Sequence, residues 1–239
     1  MPNAYRLAFL HKHEVAESTP AFFFEKPEGF LFVAGQFLRL TIPGLSATDG
    51  RGNVRPFSIA SAPYEPELMI AIRAGRSEFK VALDKLEAGT PVDMIGPYGH
   101  FTLQDNETIP AVFLAGGIGV TPMRSMVLQA LREERMRPLY LFYANRRAED
   151  AAFLDEFRSA ATAHPTFTLV PTMTAVDGKP WDGERGYITQ SMLTRYLPDL
   201  TQAMYYSAGP QAMVLAMRAM LNNAGVPEKN MRTELFSGY

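Results

Sequence analysis

A chain of 239 residues, 47% hydrophobic and 20% charged, can bury one large core or two modest ones and is too apolar to be disordered. With 23 Lys and Arg against 25 Asp and Glu the net charge is -2, which excludes the cationic surplus of a nucleic-acid binder. Cysteine is absent, which excludes disulfides, thiolate catalysis and Cys-ligated zinc or iron–sulfur centres and leaves any redox chemistry to a bound organic cofactor. The N-terminal segment reaches His11, Lys12, His13 and Glu14 after few apolar residues, so no signal-peptide core is expected. The most apolar stretch, 109–120, is broken by Gly116, Gly117 and Gly119 and is too short to cross a bilayer, which predicts a soluble, cytoplasmic protein.

Up to about residue 105 the chain alternates short β-rich runs (30–33, 36–42, 57–61, 68–73 and 92–95) with Pro and Gly breaks, a pattern that predicts an antiparallel barrel or sandwich. Only 79–86 reads as a helix, from Phe79, Ala82, Leu83 and Leu86 at three-and-four spacing. From about residue 106 the rhythm changes. Strands at 111–114, 139–144, 167–172 and 204–208 alternate with helices at 121–135, 151–163, about 191–196 and a last one opened by Pro210 and closed by Gly225. That alternation predicts a parallel sheet covered on both faces, and hence two domains, 1–105 and 106–239.

Several segments carry chemistry. Arg55-Pro56-Phe57-Ser58 opens a strand where a guanidinium can hold a phosphate and a ring can lie on a flat heterocycle. Arg73, with the helix start at Ser77, Phe79 and Lys80, offers a cation and free backbone N–H groups that suit a pyrophosphate. In Leu114-Ala115-Gly116-Gly117-Ile118-Gly119-Val120-Thr121-Pro122 a buried strand runs into glycines that admit a ligand to the backbone, and Thr121-Pro122 is expected to cap and start a helix. Ser207-Ala208-Gly209-Pro210 is a second such turn, aimed at the same crevice. The bland readings fall elsewhere. His11 and His13 read as a solvated strand edge rather than a metal site, and no metal is expected. The 13 methionines read as packing, Trp181 as the filler of a loop, and Arg132, Glu133, Glu134, Arg135 and Arg137 as a solvated helix end.

Taken in order, these motifs resemble the ferredoxin–NAD(P)H reductase superfamily over essentially the whole chain. Arg55 to Ser58 looks like its flavin-binding Arg-x-Tyr-Ser/Thr motif with Phe57 for Tyr, and residues 96–101 are similar to its Gly-Pro-x-Gly-x-Phe segment. Gly116 to Pro122 matches its nicotinamide-pyrophosphate turn, Ser207 stands where many members have Cys, and Glu234-Leu235-Phe236 resembles the C-terminal Glu-x-aromatic that packs beside the flavin. The resemblance implies an antiparallel barrel holding FAD, through Arg55, Phe57, Ser58, Arg73, Ser77, Phe79 and Lys80, followed by an α/β domain holding NADH or NADPH. The nucleotide would lie against Gly117, Gly119, Thr121, Pro122, Asn145, Arg146, Gly209 and Pro210, with Ser58, Ser207, Glu234 and Phe236 at the reacting rings. FAD is expected over FMN, because Arg73 and the 77–80 helix start provide for a second phosphate. Asn145-Arg146-Arg147 favours a 2'-phosphate while Thr172-Met173-Thr174 lacks the Ser-Arg of NADPH-specific relatives, so NADH is weakly favoured. The implied activity passes electrons from NAD(P)H to a protein acceptor such as ferredoxin, flavodoxin or an oxygenase component. Its rivals are reduction of a small acceptor, free flavin or a ferric chelate, and a non-catalytic regulatory subunit on the same fold.

Overall fold

The computed structural model describes residues 3–46, 52–175 and 180–236. Six strands, β1 (Asn3–Ala16), β2 (Thr19–Glu25), β3 (Phe37–Thr41), β4 (Val54–Ser58), β5 (Glu67–Ala71) and β6 (Pro91–Tyr98), form an antiparallel sheet in the order β4-β3-β6-β1-β2-β5. The two edges meet just beyond β4, where Ala60 N donates to Met69 O at 2.8 Å, and the sheet curls into a barrel. Inward-facing Leu7, Phe22, Phe24, Leu38, Ile70 and Val92 fill it, and helix α1 (Glu78–Asp84) plugs it with Phe79 and Leu83. Strand β1 is 14 residues long and carries two register irregularities, between Phe9 and His11 and between Glu14 and Ala16. Such bulges bend a strand, and the β1–β2 hairpin leans out of the barrel towards the second sheet.

Strands β7 (Ala111–Gly116), β8 (Leu139–Asn145), β9 (Phe167–Met173), β10 (Glu184–Arg185), β11 (Met204–Pro210) and β12 (Met231–Phe236) form a parallel sheet in the order β10-β9-β8-β7-β11-β12. Successive residues of β7 alternate faces: Phe113 and Ala115 pack on helices α2 (Thr121–Arg132) and α3 (Leu154–Ala163), while Val112 and Leu114 pack on α4 (Gln190–Thr194) and α5 (Gln211–Asn223). Every residue of β7 is buried, as expected of a central parallel strand covered on both sides. The chain winds outward from β7 through β8 to β9, then returns to β11 on the other side of β7. The strand order therefore reverses between β7 and β11, where ligands of such sheets bind at the carboxyl ends.

The elements depart from the sequence pattern in four places. Residues 30–33 are not a strand, although Phe30 and Phe32 are buried in the barrel core. β1, β2 and β12, which were not expected, complete the two sheets, β1 and β2 as a hairpin whose Leu7, Phe9, Phe22 and Phe24 enter the barrel core and β12 as an edge strand on β11. Helix α2 ends at Arg132, three residues early, where Glu134 takes a left-handed conformation with φ 53. Arg137, expected at a solvated helix end, is fully buried, and its Nη2 donates to Gln104 O at 2.6 Å and to Asn106 O, holding the segment between the two sheets. Trp181 does fill its loop, donating from Nε1 to Glu184 O at 2.7 Å with Arg158 over its ring. Among the described residues no helix is long and apolar enough to cross a membrane.

Candidate active site

The two turns singled out in the sequence lie side by side. β7 passes through Gly116 and a single 3-10 turn, 117–120, into α2, and β11 ends at Gly209-Pro210 before α5. A Cβ on Gly119 would stand 2.4 Å from Ala208 O and 2.6 Å from Gly209 Cα, and one on Gly116 would stand 2.2 Å from the Met213 sulfur. Gly209 itself, at φ 149, lies 3.0 Å from Gly116 O by the same measure. These glycines are required by the packing of one turn on the other. Gly117 differs: its φ is 52 and a Cβ there would meet nothing within 4 Å, so it is the residue that opens backbone to a ligand. Thr121, expected as the helix cap, is the first residue of α2, preceded by Val120 in the cap position, and its hydroxyl donates to Ile118 O at 3.0 Å. Its side chain ties the 3-10 turn shut and is 2% exposed.

On the barrel side, β4 carries Arg55, Phe57 and Ser58. Arg55 Nη1 donates to Gly52 O and Val54 O at 2.8 and 2.9 Å and its guanidinium lies 5.3 Å over Phe79. Phe57 is half-buried and packs 5.7 Å from the same ring. Phe79 is 1% exposed, so its side chain belongs to the barrel core and not to a ligand contact. Ser77 caps α1 by accepting from Lys80 N at 3.4 Å, and the Lys80 stem covers Gly75 with its ammonium pKa lowered by burial. Arg73, expected beside a second phosphate, has other partners: Glu17 O and Thr19 Oγ1 at 3.3 Å, Asp150 O at 3.0 Å and the Asp150 carboxylate at 3.6 Å. It joins the β1–β2 hairpin to the α/β half, a role its sequence neighbours could not reveal.

Between the halves lies a cleft of about 700 Å³ walled by Gly35, Phe37 and Gly99 from the barrel and by Arg232, Thr233 and Glu234 from β12. Ser58, opposite Phe37 in the β3–β4 register, is 5% exposed and its Oγ has no hydrogen-bond partner. Glu234 Oε2 is likewise buried without a partner, and burial pushes its carboxyl pKa up to about 7. Buried polar atoms without partners are rare in folded proteins, and in a cleft they mark where a ligand completes the hydrogen bonding. Glu234 sits beside Ala208 in the β11–β12 register and Phe236 beside Pro210, so the nucleotide turn and the cleft share one wall. Phe236 is half-buried against the apolar seam between the halves, whereas residues 237–239 lie outside the described part of the chain. Ser207 is 2% exposed, in register with Leu114 and Thr233. Asn145, at the end of β8, is buried with both amide atoms unpartnered, and Arg146 next to it is exposed.

A second cleft of about 690 Å³, between Phe23 of the barrel and Phe153 of the α/β half, has no unpartnered buried polar atom among its lining residues and is not selected. Among the described residues no group of His, Asp and Glu is arranged to hold a metal ion.

The profile of the oxidoreductase NAD-binding domain matches residues 113–219. Over 228 residues the chain is 30% identical to ferredoxin–NADP reductase B of Sorangium cellulosum, covering 89% of each protein. The chain belongs to the ferredoxin–NADP reductase family. Members of this family are FAD-dependent NAD(P)H oxidoreductases, and the antiparallel barrel followed by a parallel α/β sheet is the family's two-part architecture. The chain is also 28% identical over 209 residues to the reductase component of phenol 2-monooxygenase from Pseudomonas, covering 86% of the chain and 58% of that relative. Among solved structures it is similar to an Amycolatopsis cytochrome P450 reductase, with a TM-score of 0.83 and 25% identity over 99% of the chain and 71% of that structure. It thus spans well over half, and not the whole, of several relatives in this family that serve oxygenases.

Proposed function

We propose that this family member takes a hydride from NAD(P)H and delivers electrons to a separate redox protein, with residues 1–105 holding FAD and residues 106–239 holding the nucleotide. The observation that carries the reading is the buried, unpartnered Glu234 Oε2 in the wall of the cleft between the halves, with a second unpartnered atom, Ser58 Oγ, on the residue paired with Phe37 of the opposite wall. When bound, FAD supplies the conversion of a two-electron hydride into single electrons. The protein's own part is placement. Arg55 neutralises a flavin phosphate, and Ser77 and Lys80 serve the second phosphate in place of the engaged Arg73. Gly117 brings its backbone N–H to the nucleotide phosphates at the start of α2, where the helix dipole favours an anion.

At the reacting end Ser58 and Glu234 orient the two rings by hydrogen bonds that the ligands complete. Glu234, neutral through much of the range below pH 7, offers a donor. Phe236 lies beside Pro210 in the β11–β12 register, where it would cover the face offered to the nicotinamide and would have to turn aside to admit it. Displacing such a stacked ring costs about 0.5–1.5 kcal/mol. Phe236→Ser should therefore tighten nucleotide binding and slow turnover, as read by titration and steady-state rates. Unchanged values in both would remove Phe236 from the site.

Arg55→Ala should remove a charge-assisted phosphate contact of about 1.5–3 kcal/mol, a loss of FAD affinity between about tenfold and a hundredfold. Flavin retained at the wild-type level after desalting would contradict this assignment. The acceptor is a small electron-transfer protein or an oxygenase component, a reading supported by relatives named as reductase components of phenol and propane monooxygenases. Anaerobic reduction of the FAD-loaded chain by NADH and by NADPH, followed by mixing with ferredoxins, flavodoxins and free flavin, tests it. Protein that takes up no FAD, or FAD-loaded protein reduced by neither nucleotide, would refute the function.

A further inference from the structure

α2 begins at the nucleotide turn and, one helical turn later, is bolted to the segment that continues the flavin strand. Arg124 is 6% exposed and all of its guanidinium N–H groups are engaged. Nε donates to Glu156 Oε2 at 2.7 Å and Nη1 to Ala60 O and Glu65 Oε2, each at 2.8 Å. Nη2 donates to Glu65 Oε1 at 3.0 Å and Glu156 Oε1 at 2.6 Å, and the group lies 5.1 Å over Phe153. Next to it Ser125 Oγ donates to Ser61 O at 2.7 Å, and Gln129 Oε1 accepts from Tyr64 N at 3.3 Å. Residues 60–65 are thereby held on α2, and they are held on the barrel too, because Ala60 N donates to Met69 O at 2.8 Å and Met69 N to Ser61 Oγ at 3.0 Å, while Ala62 N donates to Glu65 Oε2 at 2.5 Å within the segment.

The clamp is close in the chain to both reacting components. Ala60 is two residues beyond Ser58 in extended chain, and Arg124 is three residues beyond Thr121, within about one helical turn of α2. Glu65 comes from the barrel and Glu156 from α3, so one planar cation fixes three bodies at once, a geometry that a flexible ammonium cannot reproduce. Phe153 holds a left-handed conformation, φ 61, unusual for an aromatic residue, directly under the guanidinium.

We propose that Arg124, assisted by Ser125, is the positioning residue that sets the separation between the Ser58 end of the flavin strand and the Gly116–Thr121 nucleotide turn. It touches neither ligand; it acts through residues 60–65 and the first turn of α2. The inference rests on the flavin and nucleotide assignment above for its effect on rate, while the clamp itself is a property of the chain. A misplacement of about 1 Å between reacting groups costs up to about a hundredfold in rate.

The test compares wild type with Arg124→Gln, Arg124→Lys and the milder pair Ser125→Ala and Glu156→Gln, in the full chain. Amide hydrogen exchange over residues 59–66 is measured first, with and without FAD. Faster exchange there in Arg124→Gln, partly restored in Arg124→Lys, is expected; exchange at the wild-type rate in all variants overturns the clamp. Single-turnover reduction of FAD-loaded protein then separates position from binding. The limiting reduction rate is expected to fall between about tenfold and a hundredfold, with nucleotide Kd changed less than about threefold and flavin content unchanged. A limiting rate equal to wild type, or losses of flavin and nucleotide affinity that account for the whole effect, overturns the positioning role. Should Arg124→Gln fail to fold, the same two readouts on Ser125→Ala and Glu156→Gln decide. A wild type that is never reduced by either nucleotide refutes the proposed function, and the exchange data still decide the clamp.

Discussion

Glu234→Gln is expected to be more stable than wild type at pH 8.5 and equal to it near pH 4. Burial holds the Glu234 carboxyl at about 7 in the folded chain, against 4.5 for the unperturbed group. A carboxyl whose folded pKa lies above its unfolded value binds its proton more tightly in the native state. Its contribution to stability is therefore complete below pH 4.5 and is lost as pH rises through about 7. A full shift of that size corresponds to about 3 kcal/mol as an upper bound. Relaxation of the cleft and water entry lower this to the order of 2 kcal/mol, or about 4–8 °C in Tm for a chain of this length. Gln, neutral throughout, lacks this pH dependence, so the Tm difference between the two proteins should open from about pH 4.5 to about pH 7 and stay level above it. Parallel Tm curves would show that Oε2 is not the desolvated atom the structure depicts. In the loaded protein Glu234→Ala should slow flavin reduction with nucleotide Kd nearly maintained, since the side chain orients a ring and carries no phosphate.

Two glycines two residues apart in one turn, Gly117 and Gly119, should respond to alanine in opposite ways. Gly119→Ala drives a methyl to 2.4 Å from Ala208 O and 2.6 Å from Ala208 C and Gly209 Cα, all of them backbone atoms of a central strand that cannot retreat. Overpacking of this kind costs about 1–3 kcal/mol where side chains can adjust, and more here because they cannot. The variant is expected to unfold many degrees below wild type or to be recovered insoluble. Gly117→Ala meets no atom within 4 Å and bears only the strain of φ 52, about 1–2 kcal/mol. It should fold, keep its flavin and lose nucleotide affinity, because the new methyl occupies the one open position of the turn. Thermal unfolding with nucleotide titration separates the two, and a Gly117→Ala protein that binds nucleotide normally would remove this turn from the site.

Much of this was legible in the chain itself. Ala111 to Leu114, Leu139 to Ala144 and Met204 to Ala208 read as buried strands because a parallel strand covered on both faces needs no alternation, only a continuous apolar run. The glycine turn and the Arg55–Ser58 strand were visible because each is local, backbone conformation and close approach restricting the residue types at fixed offsets, whereas the Glu234–Phe236 end was picked out only by its resemblance to the family. What the sequence hid is long-range. Arg73 read as a phosphate-binding cation, Arg137 as part of a solvated helix end, and Arg124 drew no reading, because nothing nearby in sequence announces Asp150, the carbonyl of Gln104, Glu65 or Glu156 as partners. Likewise Gly119 could not be told from Gly117 by sequence, since one faces the backbone of β11 and the other faces open space. Local steric rules determine turns and strand faces, whereas the enclosure of Arg124 by Ala60 O, Glu65 and Glu156 is decided by the packing of the two halves.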